Sequence, residues 1–449
     1  MTFRTLRDWL NWQESLHPRG IDLGLERVRQ VFLRMDLGPP PFRIVTVAGT
    51  NGKGSSVALL EAVLNTAGYR TGAYTSPHLL DYNERIRIAG EAMDDEAICR
   101  AFERIDRARE QVSLTYFEFG TLAALDIFYH GGLDVVLLEV GMGGRLDAVN
   151  IMDPDVALVT AIGIDHVAWL GSDREAIARE KAGIFRSGIP AVCSDPRPPA
   201  SLVDHARLLG TPLLLMGRDY GFQVEWANPA CPAAQDSGFS PESTWSWWSK
   251  ALSYENLPLP RLTGAFQVQN AAGVLMVLQT LASILPIERH HIEQGLRTMQ
   301  LAGRFQVEEA PVTTILDVAH NRESAAALAE NLATWKIPGK THAVVAMLAD
   351  KDMAGVLHEL RAVVDTWHLS SAPVERGADV EALSHALGEA RAGMVHSSSD
   401  TVADAYEAAQ SQAEETDRIV VFGSFYAVIN VKQLLTGQRQ KFTVQSDPI

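Results

Sequence analysis

Cysteine is scarce in this chain: Cys99, Cys193 and Cys231 are the three thiols among 449 residues. An odd number at uneven spacing excludes a disulfide-stapled scaffold and points to reduced thiols in a cytoplasmic protein. Positive charge is also short, with 39 Lys and Arg against 55 Asp and Glu and a formal net charge of −16. That balance argues against an extended nucleic-acid footprint, although a local basic pocket can still hold an anionic ligand. No apolar run reaches membrane-spanning length, and the opening MTFRTLRDWLNW lacks the apolar core of a signal peptide. Internal repeats and low-complexity tracts are missing too. What remains is ordinary globular composition, 47% hydrophobic and 21% charged. At this length about two to three domains are expected.

The chain is organised around Arg43–Leu64, RIVTVAGTNGKGSSVALLEAVL. Ile44, Val45 and Val47 read as a buried strand. A small-residue turn with Gly49, Gly52, Lys53 and Gly54 follows, and after Ser55 and Ser56 the apolar positions Val57, Leu60, Val63 and Leu64 recur at helical spacing. Strand, glycine loop, lysine and hydroxyl, then helix is the arrangement that cradles a nucleotide's phosphates. Backbone N–H groups and the helix N-terminus face the anion, while Lys53 adds a point charge. The usual P-loop puts Ser or Thr directly after Gly-Lys; here Gly54 intervenes before Ser55.

Helices are expected over residues 3–16 and 25–37, followed by strands at Thr71–Thr75 and Arg85–Ile88. Further helices are expected from Asp94–Asp95 to about Glu110 and over residues 114–130. Asp134–Val140 (DVVLLEV) has the near-continuous apolar character of a strand buried on both faces of a parallel sheet. Val156–Ala161 and Ile189–Cys193 repeat it, with a helix near Arg174–Ala182 between them. From Asp219 to Leu262 the pattern loosens into an irregular β region holding Trp245, Trp247 and Trp248, which reads as packing rather than a ligand platform. Helices follow over Gln267–Leu281 and Ile287–Met299. Beyond Gln300–Gly303 the alternation restarts: strands Thr313–Val318, His342–Met347, Thr366–Leu369 and Arg418–Phe422, helices Glu323–Leu332, Met353–Val363, Val402–Ala413 and Phe425–Leu434. The expected fold is α/β: a P-loop-containing, doubly wound ATPase domain over residues 1–300 and a smaller Rossmann-like domain over residues 301–449.

Ligands in open α/β sheets bind beyond the carboxyl ends of the strands. Glu139, at the end of DVVLLEV, is placed to meet a metal at the glycine loop; the alternative is a solvent-facing strand end. His166, after the next strand, shares that sheet edge. Lys181 reads first as a lysine at a helix C-terminus, and Asp147 as a capping or turn residue. Asp317 and His320 stand where the second domain's first strand gives way to a helix, and Arg304 follows the linker. Together they put an acid, an imidazole and a cation where one domain can close on a nucleotide held by the other.

These residues fall in motifs that resemble the Mur ligase superfamily and, within it, the bifunctional dihydrofolate synthase/folylpolyglutamate synthases. The stretches are IDLGLERV (Ile21–Val28), AGTNGKGSS (Ala48–Ser56), SPHL (Ser76–Leu79), LTYFEFGTLAAL (Leu114–Leu125) and DVVLLEVGMGGRLDAVN (Asp134–Asn150). DHVAWLGSDREAIAREKAGIF (Asp165–Phe185), AGRFQ (Ala302–Gln306), DVAHN (Asp317–Asn321), DKD (Asp350–Asp352) and FGS (Phe422–Ser424) continue in the family's order. TNGKGSS is this family's form of the loop, which accounts for Gly54. Val149 stands for a more usual Thr, Arg322 for a Pro after HN, and Tyr426 for a His after GSF.

The resemblance implies an ATP-dependent amide ligase in which a carboxylate takes the γ-phosphate of ATP and an amine displaces phosphate from the acyl phosphate. It implies an ATP site of Thr50, Asn51, Gly52, Lys53, Gly54, Ser55, Asn270, Arg304 and Asp317. Ser76, Glu139 and His166 would hold Mg²⁺ with a carbamylated Lys181; two metal sites are expected, and a monovalent cation is allowed for. Lys53, Lys181 and His320 are the catalytic candidates. Ile21, Asp22 and Leu23, Thr115, Tyr116 and Phe117, and Leu146, Asp147 and Ala148 resemble the pteroate-binding set, with Ser424 a further substrate candidate. The expected partners are dihydropteroate, reduced folates and L-glutamate, for a cytoplasmic monomer with no nucleic acid or membrane partner. The alternatives are a folylpolyglutamate synthase alone, a Mur-type ligase of UDP-sugar peptides, and a nucleotide-gated binding module without ligase chemistry. The second would need a separate N-terminal domain, for which the residues before the glycine loop are too few.

Overall fold

The computed structural model describes residues 3–226, 243–308, 310–391 and 395–437. Cys231 and part of the loosened Asp219–Leu262 region lie outside them. Eight strands form the first sheet: β1 (Arg43–Ala48), β2 (Thr71–Tyr74), β3 (Ile86–Ile88), β4 (Glu91–Ala92), β5 (Val135–Glu139), β6 (Val156–Val159), β7 (Ala191–Cys193) and β8 (Leu213–Leu215). Their order is β4-β3-β2-β5-β1-β6-β7-β8. Pairing is parallel from β2 through β8, whereas β3 and β4 turn back antiparallel.

Alternation along β1 and β5 feeds two cores. Ile44, Val136 and Leu138 pack beside Phe119 and Leu122 of the helix Tyr116–His130. Val45, Val47, Val135 and Leu137 face the opposite layer, with Leu60 of the helix Lys53–Thr66 and Val274 of the helix Ala265–Leu281. Burial on both faces is why DVVLLEV carries no polar alternation. Burying any one of these side chains contributes on the order of 2 kcal/mol.

The Trp-rich region forms an antiparallel sheet of β9 (Tyr220–Glu225), β10 (Thr244–Ser249) and β11 (Ser253–Pro258), more regular than its composition suggests. Trp245 and Trp247 are buried in the second core, and their indole N–H groups donate to Pro258 O and Ala272 O. They pack; Trp248 is exposed.

The last sheet holds β12 (Gln306–Glu308), β13 (Thr313–Leu316), β14 (Thr341–Val345), β15 (Thr366–Ser370), β16 (Val395–Ser399) and β17 (Arg418–Phe422) in the order β12-β13-β17-β14-β15-β16. All but β12 run parallel. Among the described residues, no helix is long and apolar enough to cross a membrane.

The principal difference from the sequence reading is where the glycine-loop helix starts. It begins at Lys53 rather than after Ser56, with Gly52 in the left-handed region at φ +93°. The first N–H groups of the helix, on Lys53, Gly54 and Ser55, therefore have no acceptor within it and are aimed at whatever the loop encloses. The expected helices also shorten at their ends, to Leu6–Leu16 and Glu26–Arg34, because Thr5 caps the first and Met35 closes the second.

Candidate active site

In the first sheet β1 lies between β5 and β6, so chain connections leave it in opposite directions and open a crevice beyond its carboxyl end. Three loops meet there: Gly49–Gly52 after β1, the stretch after Glu139, and the segment 160–166 after β6. Thr50 Oγ1 donates to Gly163 O and accepts from Gly163 N, both at 3.0 Å. Thr160 Oγ1 donates to Asn51 O at 2.8 Å. The loop is thus braced from the side. At Gly52 a Cβ would fall 2.4 Å from Asn270 Oδ1, so glycine is required both by φ and by the close approach of that side chain. Asn270 is buried and donates to Gln267 Oε1 at 3.1 Å.

Lys53 Nζ folds over the loop and donates to Gly49 O at 3.1 Å and Thr50 O at 3.2 Å. Burial holds its pKa below the ordinary lysine value, although Glu139 and Asp165 pull the other way. A cation in this setting, above a helix N-terminus, is suited to an anion of high charge density.

Glu139 is buried, not solvent-facing. Burial raises its pKa and Lys53 partly offsets that. One carboxylate oxygen accepts weakly from Ser76 N at 3.4 Å. Ser76 Oγ is buried with no hydrogen-bond partner, and a native orphan of this kind calls for an explanation. A hydroxyl and a carboxylate at the mouth of a phosphate loop suit Mg²⁺, which binds few protein oxygens and keeps phosphate and water in its shell. Among the described residues no three or more His, Cys, Asp or Glu side chains cluster as metal ligands. His166 sits at φ +52°, just before the short helix Val167–Leu170. Burial depresses its ring to about 4, so the imidazole is neutral at physiological pH.

Lys181 is buried rather than displayed at a helix end, and its Nζ donates to Gly49 O at 2.8 Å. Burial, with Lys53 nearby, brings its amine down to about 7.

The last sheet supplies the facing wall. Asp317 follows β13 and accepts from Phe305 N and Ala319 N, each at 2.8 Å, so it clamps the turn that carries Arg304. Burial raises the Asp317 carboxyl and Arg304 counters it. Burial lowers the Arg304 guanidinium, and the charges of Asp317 and Glu139 oppose that. Its guanidinium lies over the Phe425 ring at 5.7 Å. His320 turns Nδ1 to Val318 O at 2.8 Å and Nε2 to Asp165 Oδ2 at 3.3 Å. Ser424 Oγ donates to Ala346 O at 2.7 Å and caps the helix Phe425–Thr436, so its hydroxyl is already engaged.

Three residues that the sequence reading did not single out join the two halves. Asp165 accepts from Lys351 Nζ at 2.5 Å and from Asn321 Nδ2 at 3.4 Å, besides facing His320. The hydrogen bond with His320 and the charge of Lys351 hold its carboxyl well below the usual range despite burial. Asn321 and Asn51 exchange amide hydrogen bonds at 3.1 and 3.2 Å. Asp165 and Lys351 lie inside motifs already noted, DHVAWLG and DKD, and that was the available signal.

A pocket open to solvent is bordered on one side by the loop that follows Glu139. Ile21, Asp22 and Leu23 line it together with Thr115, Phe117, Leu146, Asp147 and Ala148. Tyr116 does not: its ring packs edge-on to Tyr82 and lies beneath Arg85. Asp147 caps the short helix Ala148–Ile151, as its loop position suggests, accepting from Val149 N at 3.0 Å and Met142 N at 2.9 Å. Burial still raises its carboxyl to about 7.

Residues 47–194 match the Mur ligase middle domain, and residues 303–425 match the Mur ligase glutamate ligase domain. The dihydrofolate synthase/folylpolyglutamate synthase of Escherichia coli K12 is 42% identical over 435 residues, covering 97% of this chain and 96% of that protein. The structure of Escherichia coli FolC in complex with DHPP and ADP superposes with a TM-score of 0.88 at 41% identity, covering 98% of this chain and all of that one. A bifunctional folylpolyglutamate synthase/dihydrofolate synthase with Mn, AMPPNP and L-glutamate bound gives 0.86 at 42% identity, over 97% and 99% of the two chains.

Proposed function

Because the chain belongs to the Mur ligase family, in its dihydrofolate synthase/folylpolyglutamate synthase branch, we propose that one centre between its two sheets carries out both ligations. The protein is an ATP-dependent carboxylate–amine ligase that adds L-glutamate to folates. In our reading residues 1–300 bind ATP, residues 301–449 close over it, and the acceptors are dihydropteroate and the γ-carboxylate of reduced folates. A cytoplasmic monomer completes the reading.

The observation that carries it is the convergence of a braced phosphate loop, an acid–hydroxyl pair and an apolar-walled cavity around the single stretch Glu139–Ala148. An unactivated carboxylate does not condense with an amine in water. A carboxylate oxygen of the pteroate or folate attacks the γ-phosphorus; the O–P bond forms, the β–γ bridge breaks, and ADP leaves. The glutamate nitrogen then attacks the acyl carbon, a C–N bond forms, and phosphate departs. Lys53 and the first N–H groups of its helix hold the phosphates and meet the charge that develops on them. Arg304, anchored through Asp317 and Phe425, brings a second cation from the facing sheet. Ser76, Glu139 and His166 would hold Mg²⁺, with a carbamylated Lys181 as a further anionic ligand, and a second metal site and a monovalent cation belong to the same reading. Bound metal supplies charge neutralisation at the phosphates. The neutral amine that carbamylation requires is favoured by the burial of Lys181. His320 is a base candidate for the amine proton once its contact with Asp165 opens.

The deciding experiment is a phosphate-release assay with dihydropteroate and with tetrahydrofolate. Release should require both L-glutamate and either acceptor. Turnover with tetrahydrofolate alone would reduce the protein to a folylpolyglutamate synthase, and glutamate-independent turnover would overturn the ligase chemistry.

A further inference from the structure

Behind the cavity lies a polar network that the reaction as described does not use. Arg27, on the helix Glu26–Arg34, spreads its guanidinium across two carboxylates from different parts of the chain. Its Nη1 donates to Asp22 Oδ2 at 2.8 Å, and its Nη2 to Asp22 O at 2.6 Å. Toward the other side, Nη2 stands 3.1 Å from Glu118 Oε1 and Nε 3.4 Å from Glu118 Oε2. Glu118 is itself fixed, since Oε2 accepts from Thr115 N at 2.8 Å in a capping box. His17 Nε2 adds a contact to Asp22 Oδ2 at 3.1 Å, and its Nδ1 is seated on Ser113 Oγ at 2.9 Å.

Both carboxylates border the cavity. Arg27 and His17 occupy Asp22 Oδ2, while Oδ1 has the exposed Arg19 at 3.7 Å. One oxygen is therefore held by the protein and the other is left for a ligand. A lysine could neutralise this charge, but its single ammonium does not span two carboxylates and a carbonyl in one plane.

We propose that Arg27 is a positioning residue for the pteridine end of dihydropteroate: it fixes Asp22, with Glu118 as its anchor, so that Asp22 Oδ1 accepts an N–H donor of the 2-aminopyrimidinone ring. This rests on the reading of the cavity as the dihydropteroate site. The contacts of Arg27 run to Asp22 and Glu118, which border the pocket, and to no residue of the glycine loop, so its effect belongs to acceptor binding and not to phosphate transfer.

The test is steady-state kinetics of phosphate release for the wild type, R27K and R27A, varying dihydropteroate and ATP separately. R27K and R27A should each raise KM for dihydropteroate by about tenfold or more, the scale of a lost charge-assisted hydrogen bond. KM for ATP should stay near the wild-type value, and added guanidinium should lower the R27A KM for dihydropteroate. D22N in the R27A background should add little, because the two act as one unit. Should R27A fail to fold, R27K carries the comparison. Wild-type KM for dihydropteroate in R27K, an equal rise for ATP, or additive effects of D22N and R27A would each overturn the proposal while leaving the function intact. A wild type with no dihydropteroate-dependent release would overturn the function itself, and this inference with it.

Discussion

Lys351 Nζ meets Asp165 Oδ1 at 2.5 Å, although the two residues are 186 positions apart and belong to loops of different sheets. Both side chains are less than a tenth exposed. Removing one partner of such a pair costs far more than removing a surface ion pair, because it strands a buried charge. Asp165 keeps His320 and Asn321 as partners, so K351A should loosen the closure of the two sheets without unfolding either. We expect kcat to fall by roughly tenfold, equivalent to about 1.4 kcal/mol of transition-state stabilisation, with a larger radius of gyration in solution scattering. Unchanged kcat and scattering would show that the pair is incidental to closure.

Much of this arrangement was open to inspection in the sequence; the helices Ala200–Leu209 and Val380–Ala390 and several strands were not. The interior strands announce themselves: β1, β5 and β17 are dominated by apolar side chains because sheet neighbours and helices cover them, with charged residues only at their ends (Arg43, Glu139, Arg418). β4, β8, β12 and β16 escaped the reading, and each is an outermost strand of its sheet. An edge strand has one neighbour and is short or polar, as VHSSS in β16 shows. Glu139 and Lys53 could be placed because strand ends and glycine loops have local signatures. The bond between Asp165 and Lys351 has none, since it exists only after two separately built sheets face each other. The burial of Lys181 is hidden for the same reason: its place in the last turn of its helix is that of an exposed lysine, and only tertiary packing buries it.

Ser76 offers a clean separation of folding from function. Its hydroxyl is buried without a hydrogen-bond partner, so S76A removes a polar group that the fold itself does not use. Stability should be unchanged or slightly higher, within about 1 kcal/mol. Turnover, by contrast, should need more Mg²⁺ to reach half its maximum. Thermal unfolding and a Mg²⁺ titration of phosphate release check both halves. A destabilised variant with an unaltered metal requirement would show that Ser76 serves structure alone.

Asp147 is held by Met142 N and Val149 N at one corner of the cavity. D147A loses both acceptors and the capping of the helix Ala148–Ile151, a cost of about 1 kcal/mol. D147N keeps one acceptor oxygen and the volume. Both should impair the reaction with dihydropteroate more than the reaction with tetrahydrofolate, D147A the more severely. Ratios of kcat/KM for the two acceptors are the measurement. Equal loss of both would place Asp147 in general support of the loop after Glu139 and not in acceptor choice.

Lys181 makes the sharpest pH prediction. Its amine titrates near 7 in the folded protein and at about 10.5 when unfolded. Between those values the unfolded chain binds more protons, so stability rises with pH across this window. The burial cost is complete below about pH 7 and vanishes above about pH 10.5. K181M carries no such group. In CO₂-free buffer the wild type should therefore gain on K181M by on the order of 2 kcal/mol between about pH 7 and about pH 9. Carbamylation replaces the titrating amine with an anion, so bicarbonate should flatten that slope and raise activity together. Denaturant unfolding at several pH values, with and without bicarbonate, resolves the two effects. A slope that persists unchanged in bicarbonate, alongside activity indifferent to it, would mean that Lys181 works as a plain amine bonded to Gly49 O.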